Sequence, residues 1–333
     1  MSVRNCRNER IPSWRSAPPM AGTRAGGIRH EAWFYEGVDE FVAGSLTFVE
    51  EGLEADEDVM VATTPDNLAG LRDELGHEAE RLILVDMSDA GRNPGRILSV
   101  WRRFAERAEA RARRGRGIGE PVWPGRTAEE LEECRRHEAL INCAFDPDAD
   151  FWLLCPYDRS ALDERALASA ESTHPTVYEA GAPRRSRSFD HTLGDRALDG
   201  ELAPPPPTAE RRRFDPETLG ELRAFARTIA VGAGFGPDRA DDLVFAVNEL
   251  AANAIRHGGR RGSLTAWRTR PDVLVCEVAD EGRIRDPLVG RRKPPAKELN
   301  GRGLWIAHEL CDLVQVRSAE EGTRVRVALS ACR

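Results

Sequence analysis

Two kinds of apolar pattern alternate along the first half of the chain. Short apolar runs of strand length, each followed by turn residues, occur as DVMVATT at 58–64, RLILVDM at 81–87 and FWLLC at 151–155. Longer stretches of helical length lie between or before these runs, at 95–114 and 127–144. Strands that alternate with helices are typical of a sheet whose strands run mostly parallel. The pattern therefore predicts an α/β domain.

The last part of the chain groups its elements differently. Two helices come first, then two strands, one helix and two closing strands, at 216–232, 237–257, 263–270, 272–279, 303–312, 313–318 and 323–329. A loop rich in Gly, Pro and Arg, 281–300, precedes the third helix. This grouping predicts an α+β sandwich, with the helices on one face of a mixed or antiparallel sheet.

Composition places the boundaries between these regions. Residues 1–27 are rich in Arg and Pro without periodicity, which predicts a disordered tail. The α/β domain then covers 28–180, and the α+β domain covers 213–331. Between them, 181–212 contains four consecutive prolines and several arginines, and we expect a linker that is extended at its proline end.

The helix predicted at 237–257 carries an unusual polar edge. Glu249, Asn253 and His257 are spaced four residues apart, so they stack on nearly one face, and Arg256 returns to that face. The apolar residues of the same helix cluster on the opposite side, as expected for a core-facing stripe. The helix is therefore predicted to present an acid, an amide and a base to a bound group.

Three later features follow in an order that allows them to meet this helix. Asp280 ends a strand and is followed one residue later by Gly282. Gly301 and Gly303 open the third helix, where backbone amides can hold a phosphate. Thr323 follows a glycine in the turn between the last two strands. Each feature is weak alone, but the order and spacing together are a much stronger signal of one shared site.

Charge and cysteine usage narrow the function classes. The 333 residues carry a net charge of −8, which argues against general binding of nucleic acid. No apolar run approaches the roughly 20 residues of a membrane span, and the first residues lack a secretory signal, so the expectation is a cytoplasmic protein that binds no membrane. The seven cysteines form no CxxC pair and no zinc spacing, which predicts reduced thiols.

Lysine is confined to Lys293 and Lys297, and neither residue follows a glycine run. A P-loop requires a lysine directly after its glycines. Any nucleotide is therefore expected to bind in another way, in which Arg256 together with Lys293 or Lys297 could balance the phosphate charge.

The C-terminal motifs resemble those of the GHKL ATP-binding superfamily, and within it those of the anti-sigma-factor serine/threonine kinases, over about residues 208–329. The resemblance implies a Bergerat-type fold that binds ATP and Mg²⁺. It also implies roles for the residues above. Ile284 stands where many relatives have a second glycine. The implied roles are a catalytic carboxylate that accepts a proton for Glu249, the magnesium ligand for Asn253, adenine binding for Asp280, Gly282 and Thr323, and phosphate binding for Gly301 and Gly303.

The N-terminal region resembles the MEDS sensory domain over about residues 28–178. The stretches that carry the resemblance are HEAWFYEG, GEPVWPGR, RRHEALIN and LLCPYD. They contain four polar candidates for a sensory role, although ordinary packing explains His30 and Tyr35 equally well. The resemblance implies a RecA-like core that senses a small-molecule signal. The four candidates are His30, Tyr35, Glu138 and Asn142.

These resemblances favour an ATP-dependent anti-sigma regulatory serine/threonine protein kinase controlled by its sensory domain. Its partners would be an antagonist protein that it phosphorylates and a sigma factor, and a homodimer is one arrangement left open. A histidine kinase is the first alternative, because His137 and Glu138 resemble the start of a phospho-acceptor motif. However, the proline expected after that motif is absent, and the linker separates it from the catalytic domain. The second alternative is a non-catalytic, ATP-dependent regulator that sequesters a partner.

Overall fold

The structure, a computed structural model, describes Trp14, residues 24–25, residues 28–294 and residues 301–331. The chain divides into two units, one of residues 1–92 and 97–194 and the other of residues 93–96 and 195–333. Most of the predicted disordered tail therefore lies outside the described residues. Trp14 is an exception, because its ring is buried in the core of the first unit and its Nε1 donates to the carbonyl oxygen of Gly44 at 3.1 Å.

The described residues of the first unit form an eight-stranded sheet. Its strands are β1 Arg24–Ala25, β2 Ile28–Tyr35, β3 Asp58–Thr63, β4 Ile83–Asp86, β5 Gly115–Gly119, β6 Phe151–Asp158, β7 Thr176–Glu179 and β8 Ala182–Arg185. Their order is β4-β3-β5-β6-β2-β7-β8, with β1 paired to β2 outside that path. All neighbours run parallel except β8 against β7 and β1 against β2. The mostly parallel sheet predicted from the pattern is confirmed.

Helices connect the parallel strands of this sheet. They are α1 Gly37–Glu54, α2 Pro65–Leu75, α3 Met87–Ala90, α4 Pro94–Ala110, α5 Ala128–Ala144 and α6 Glu164–Thr173, with a short 3-10 helix at Gly76–Arg81. The start of α5 is set by a capping box, in which Thr127 accepts from the Glu130 amide and Glu130 accepts from the Thr127 amide. Such reciprocal capping satisfies two amides that the helix itself leaves unpaired.

The alternation of side chains along β2 separates two faces of the sheet. Trp33 and Tyr35 join a core cluster that includes residues of α1 and α2. His30 and Ala32 point to the opposite face, and Ala32 pairs in register with Cys155 of β6. Contacts of α5 with β2 and with α6 place these two helices over that second face.

Strand β5 was missed by the sequence analysis because its residues, Gly115 to Gly119, have low strand propensity. Its glycines have a packing role. A Cβ added at Gly117 would lie 2.6 Å from the ring of Trp101, and one at Gly119 would lie 2.5 Å from the same ring. The strand therefore lacks side chains where α4 inserts a fully buried indole.

The second unit contains β9 Glu210–Phe214, α7 Leu219–Gly232, α8 Pro237–His257, β10 Gly262–Arg270, β11 Val273–Asp280, α9 Gly303–Leu310, β12 Leu313–Ala319 and β13 Gly322–Ser330. The predicted elements are all present, with ends shifted by at most three residues. Among the described residues the sheet has the order β12-β13-β11-β10-β9, and every neighbouring pair is antiparallel. Of the two predicted alternatives, the antiparallel sheet is therefore correct and the mixed sheet is wrong.

One apolar cluster holds this unit together. Alternate residues of the central strands, such as Leu274, Cys276 and Val278, meet the buried sides of α7, α8 and α9. The alternation shows that all three helices share one face of the sheet.

One strand and the beginning of a second lie in the segment predicted as a linker, 181–212. Strand β8 pairs with β7 in the first unit, and β9 pairs with β10 at the edge of the second sheet. The part before β9 also contacts its own unit, because the carbonyl oxygen of Leu198 accepts from the amide of Ser318 at 3.0 Å. Strand β9 has the sequence ERRRF and is largely exposed, and such charged residues are typical of an edge strand. The strand therefore lacks the alternation of apolar and polar residues by which a strand is predicted from sequence.

A buried arginine ties the beginning of α8 to the far ends of α9 and β13. Arg239 is 7% exposed, and its guanidinium donates to the carbonyl oxygens of Leu310 at 2.7 Å and Ser330 at 3.0 Å. It also forms an ion pair with Asp312. A planar guanidinium suits such a junction because it offers several donors in one plane.

We expect Arg239→Ala to lower the free energy of unfolding of the second unit by about 3 kcal/mol, because two carbonyl oxygens lose a donor and the partly buried carboxylate of Asp312 loses its ion-pair partner. Hydrogen exchange followed by mass spectrometry should show faster exchange in α8 and β13. The control is Arg227→Ala, since Arg227 pairs with Asp241 at the surface and such pairs contribute about 1 kcal/mol or less. Equal exchange in the two variants would contradict the role of Arg239.

Candidate functional site

Helix α8 presents its polar residues on the side away from the core. Glu249 and Asn253 are half-buried and Arg256 is exposed. Arg256 Nη1 donates to Asn253 Oδ1 at 3.4 Å, and Asn248 Nδ2 donates to Glu249 Oε1 at 3.3 Å. The residues predicted to face the core are all buried: Leu243, Val247, Leu250, Ala251 and Ala254.

Gly303 lies directly against this polar face. A Cβ added at Gly303 would lie 2.6 Å from Asn253 Nδ2, 3.1 Å from the carbonyl oxygen of Glu249 and 3.2 Å from the Glu249 Cβ. A side chain here would displace the Asn253 amide or separate the two helices. Because Gly303 has no side chain, the first turn of α9 can lie directly against Glu249 and Asn253.

Among the described residues, no side chain caps the first turn of α9. Arg302 occupies the N-cap position without a side-chain hydrogen bond to the helix. The first amides of a helix have no partner within it, and such uncapped amides bind phosphate groups. Gly301, just before the cap, has φ +81°, a conformation that L side chains rarely adopt, although its Cβ position is open.

A second group of residues surrounds the end of β11. Asp280 Oδ1 accepts from the amide of Gly282 at 2.7 Å, while Oδ2 has no hydrogen-bond partner among the described residues. Burial raises the pKa of the Asp280 carboxyl above its ordinary value, and the Gly282 amide and the charge of His257 oppose that shift. A Cβ at Gly258, just after α8, would collide with the Asp280 carboxylate. Asp280 is thus half-buried, and its Oδ2 is available to accept a hydrogen bond from a ligand.

A chain of hydrogen bonds holds the loop that follows Asp280. The amide of Ile284 donates to Ser318 Oγ at 2.8 Å, and Ser318 Oγ lies 2.8 Å from Thr323 Oγ1. Thr323 Oγ1 donates to the carbonyl oxygen of Gly282, also at 2.8 Å. Since Thr323 donates there, Ser318 donates to Thr323, and all three bonds run in one direction. Thr323 therefore positions the loop backbone.

The structure brings the predicted residues to the C-terminal half of α8. Glu249 and His257 are eight residues apart, about 12 Å along a helix axis, and the two groups of residues lie at the two ends of that span. Lys293 is exposed, and Lys297 lies outside the described residues. Gly303, two residues after Gly301, contacts Glu249 and Asn253, and Arg256 donates to Asn253 from the next turn of the helix. Asp280, Gly282 and Thr323 lie at the His257 end.

Two residues of this site were missed by the sequence analysis. Gly258 provides the space that the Asp280 carboxylate occupies, and Ser318 completes the hydrogen-bond chain. The glycine pair directly after His257 was a signal for the first, because the end of a helix often needs glycine. A serine inside a strand gives no comparable signal.

The four candidates in the first unit fall into two separate clusters. His30, Glu138 and Asn142 lie together, with His30 Nε2 2.9 Å from Glu138 Oε2 and His30 Nδ1 3.0 Å from Asn142 Oδ1. Tyr35 lies elsewhere and donates to Glu120 Oε1 at 2.9 Å. Burial raises the pKa of Glu120, although hydrogen bonds from neighbouring side chains oppose that shift.

Comparison with known families agrees with the division into two kinds of domain. Residues 29–175 match the family MEDS, described as the methanogen/methylotroph, DcmR sensory domain. Residues 213–329 match the histidine kinase-like ATPase domain. The chain therefore carries a MEDS domain followed by a histidine kinase-like ATPase domain, and the fold of the second unit is consistent with the Bergerat type.

Two solved structures illustrate the similarity of the chain to known folds, and both are distant. The RsbU and RsbW domains of Rv1364c from Mycobacterium tuberculosis are 19% identical, with a TM-score of 0.29, over 38% of this chain and 33% of that chain. The Acinetobacter baumannii histidine kinase AdeS is 13% identical, with a TM-score of 0.22, over 37% of this chain and 68% of that chain. No curated protein matches the chain. None of the helices in the described residues has the length and apolar character needed to cross a membrane.

We expect Gly303→Ala to weaken binding of ATP in the presence of Mg²⁺ at least about tenfold, which corresponds to ~1.4 kcal/mol. The added methyl group would displace the Asn253 amide, because only 2.6 Å separates its position from Nδ2. Isothermal titration calorimetry measures the effect. Gly236→Ala is the control, since nothing lies within 4 Å of its Cβ position. Unchanged affinity in Gly303→Ala would contradict the role of this contact.

We expect the protein to bind ATP at least about tenfold more tightly than GTP. The carboxylate of Asp280 only accepts hydrogen bonds, and adenine offers an amine where guanine offers a carbonyl oxygen. Asp280→Asn should reduce the preference, because an amide can also donate. Competition binding with both nucleotides measures it, with the exposed neighbour change Glu281→Gln as control. Equal wild-type affinities would show that Asp280 does not read the base.

Proposed function

We propose that this protein is an ATP-dependent serine/threonine protein kinase of the anti-sigma regulatory type, controlled by its MEDS domain. The observation that carries the proposal is the contact of Gly303 with α8. It brings the first turn of α9 against the Asn253 amide and against the backbone and Cβ of Glu249. An anion site, an acid and a neutral oxygen ligand are thereby combined in one place.

The residues present fit Mg²⁺-ATP. The amide oxygen of Asn253 is a hard ligand of the kind that Mg²⁺ takes alongside waters and phosphate oxygens. Although Arg256 donates to this oxygen, the 3.4 Å bond is long and an amide oxygen can accept twice. The glycines at 258, 282 and 303 let the polar residues of the site approach closely, because a Cβ at these positions would collide with Asp280, His257 or Asn253.

The roles of the chain's own groups follow from this arrangement. Bound Mg²⁺-ATP would supply the γ-phosphoryl group and neutralise its developing charge. Asp280 accepts from the purine amine through its free oxygen, and the α9 amides together with Arg256 bind the phosphates. Glu249 takes the proton of the attacking serine or threonine hydroxyl, because a carboxylate at this position can act as a general base.

Two histidine positions favour serine or threonine over histidine as the phosphorylated residue. His137 is 1% exposed and lies within α5 of the first unit. His191, the histidine closest before the ATPase domain, lies in a turn. A histidine kinase needs an accessible histidine on a helix, and neither residue meets that requirement.

We extend the proposal to the first unit as a RecA-like sensory domain of residues 28–180, joined through residues 181–212 to the kinase domain of 213–331. The parallel core with an antiparallel edge strand supports this fold. At the β2–α1 junction, Tyr35 is followed by Glu36 and Gly37, without the lysine of a P-loop. The Tyr35–Glu120 cluster lies at the carboxyl ends of strands, where parallel sheets commonly bind ligands, and it supports a small-molecule signal.

The partners follow from the proposed activity. The substrate would be a serine or threonine on an antagonist protein, and a sigma factor would be the regulated partner. Phosphorylation of such an antagonist would change its charge and hence its affinity for the kinase domain. The net charge of −8 supports regulation through proteins without direct contact with nucleic acid.

The test is transfer of label from γ-labelled ATP to candidate antagonist proteins. Glu249→Gln should retain ATP binding and lose at least about a hundredfold in transfer rate, since general-base catalysis contributes 10²–10⁴-fold. Asp241→Asn is the control, because Asp241 is an exposed acid of the same helix. The transferred label should resist acid, as phosphoserine does. An acid-labile product lost in His137→Ala would establish a histidine kinase, and binding without transfer would establish a non-catalytic regulator.

A further inference from the structure

Four side chains with metal-binding atoms meet between the sheet and the helices α5 and α6 of the first unit. They are His30 of β2, Glu138 of α5, Cys155 of β6 and His174, which follows α6. All four are at most 2% exposed. Their candidate ligand atoms lie within 4.8 Å of one another.

The separations within the cluster resemble the edges of a tetrahedron around a zinc ion. Bond lengths of about 2.0–2.3 Å to nitrogen, oxygen and sulfur give edges of roughly 3.3–3.6 Å. Cys155 Sγ lies 3.4 Å from His30 Nε2 and 3.6 Å from Glu138 Oε2. His174 Nε2 lies 3.4 Å from the same Glu138 oxygen. The edge between His30 Nε2 and that oxygen is shorter, at 2.9 Å.

The outer nitrogen of each histidine is held by an acceptor. Asn142 Nδ2 donates to the carbonyl oxygen of Thr173 at 2.8 Å, which turns Asn142 Oδ1 towards His30 Nδ1 at 3.0 Å. His174 Nδ1 lies 2.8 Å from the carbonyl oxygen of Ala170, which can only accept. Both Nδ1 atoms therefore carry a proton, so the neutral form of either ring has its lone pair on Nε2.

These lone pairs point at other acceptors. The Nε2 atoms of His30 and His174 face the same carboxylate oxygen of Glu138, and His174 Nε2 has no hydrogen-bond partner among the described residues. Buried acceptors that face one another repel unless a cation or additional protons lie between them. A ligand ion would satisfy all of them at once.

We propose that His30, Glu138, Cys155 and His174 form a four-coordinate zinc site. The mixture of nitrogen, oxygen and sulfur donors suits Zn²⁺ and is unsuitable for Mg²⁺ or Ca²⁺, which prefer oxygen alone. Four protein ligands fill the tetrahedron and leave no position for water, so the site binds the ion without catalysis at the metal.

Groups around the cluster act as outer partners of the site. Asn142 and the Ala170 carbonyl orient the two imidazoles, and Tyr157 donates to the second oxygen of Glu138 at 3.4 Å. Such partners set the orientation and basicity of metal ligands. The ion would join two strands to α5 and to the end of α6.

Metal content and cobalt spectroscopy of the full chain test the proposal without any substitution. Protein purified without chelator should contain about one zinc per chain. After removal of zinc, Co²⁺ should give a thiolate charge-transfer band and intense ligand-field bands, as expected for four-coordinate cobalt with a sulfur ligand. Substoichiometric zinc together with no charge-transfer band would overturn the proposal and leave a proton-shared histidine–glutamate cluster.

Substitutions then assign the band to the cluster. Cys155→Ser should abolish it, whereas Cys134→Ser should leave it unchanged, because Cys134 is equally buried but donates to the carbonyl oxygen of Pro121. Asn142→Ala, which keeps every ligand, should weaken cobalt binding about 10–100-fold. A band that survives in Cys155→Ser, or disappears in Cys134→Ser, would show that another thiol binds the ion and would overturn the assignment.

Discussion

The second unit depends on the close approach of α9 to α8, which the missing side chain of Gly303 permits. On the far side of the contact, Leu304 and Ala307 are buried in the same core as Leu250 and Ala254. That shared core holds the two helices together, so the separation between them is set by packing as well as by the glycine. The polar residues at the contact are therefore positioned by apolar burial on the opposite side of the same helices.

The elements of the second unit were predictable because each shows one clear period. Helix α8 combines Pro237 at its first turn with a 3.6-residue apolar stripe, and its predicted ends are correct. Strand β9 was missed because three arginines replace alternation at a sheet edge, and β5 was missed because its glycines accommodate Trp101. Both strands were missed for the same physical reason. Their residue types suit the place of each strand in the folded domain, which the local sequence does not show.

The residues of the candidate sites were likewise predictable only where they are close together in sequence. Glu249, Asn253 and Arg256 lie on one helix, so spacing alone relates them. The cluster of His30, Glu138, Cys155 and His174 is different, because His30 and Cys155 are 125 residues apart and His30 and Glu138 are 108 apart. Cysteine spacing gave no zinc motif, since the cluster draws one ligand from each of four segments. Only the parallel pairing of β2 and β6 brings the two strand residues together.

The hydrogen-bond chain through Ile284, Ser318, Thr323 and Gly282 has an entropic consequence. Its members already satisfy one another, and the turn at Gly322 packs against the backbone of Asp280. A ligand that docks at this end meets a surface that is ordered before it arrives, so little conformational freedom is lost there on binding.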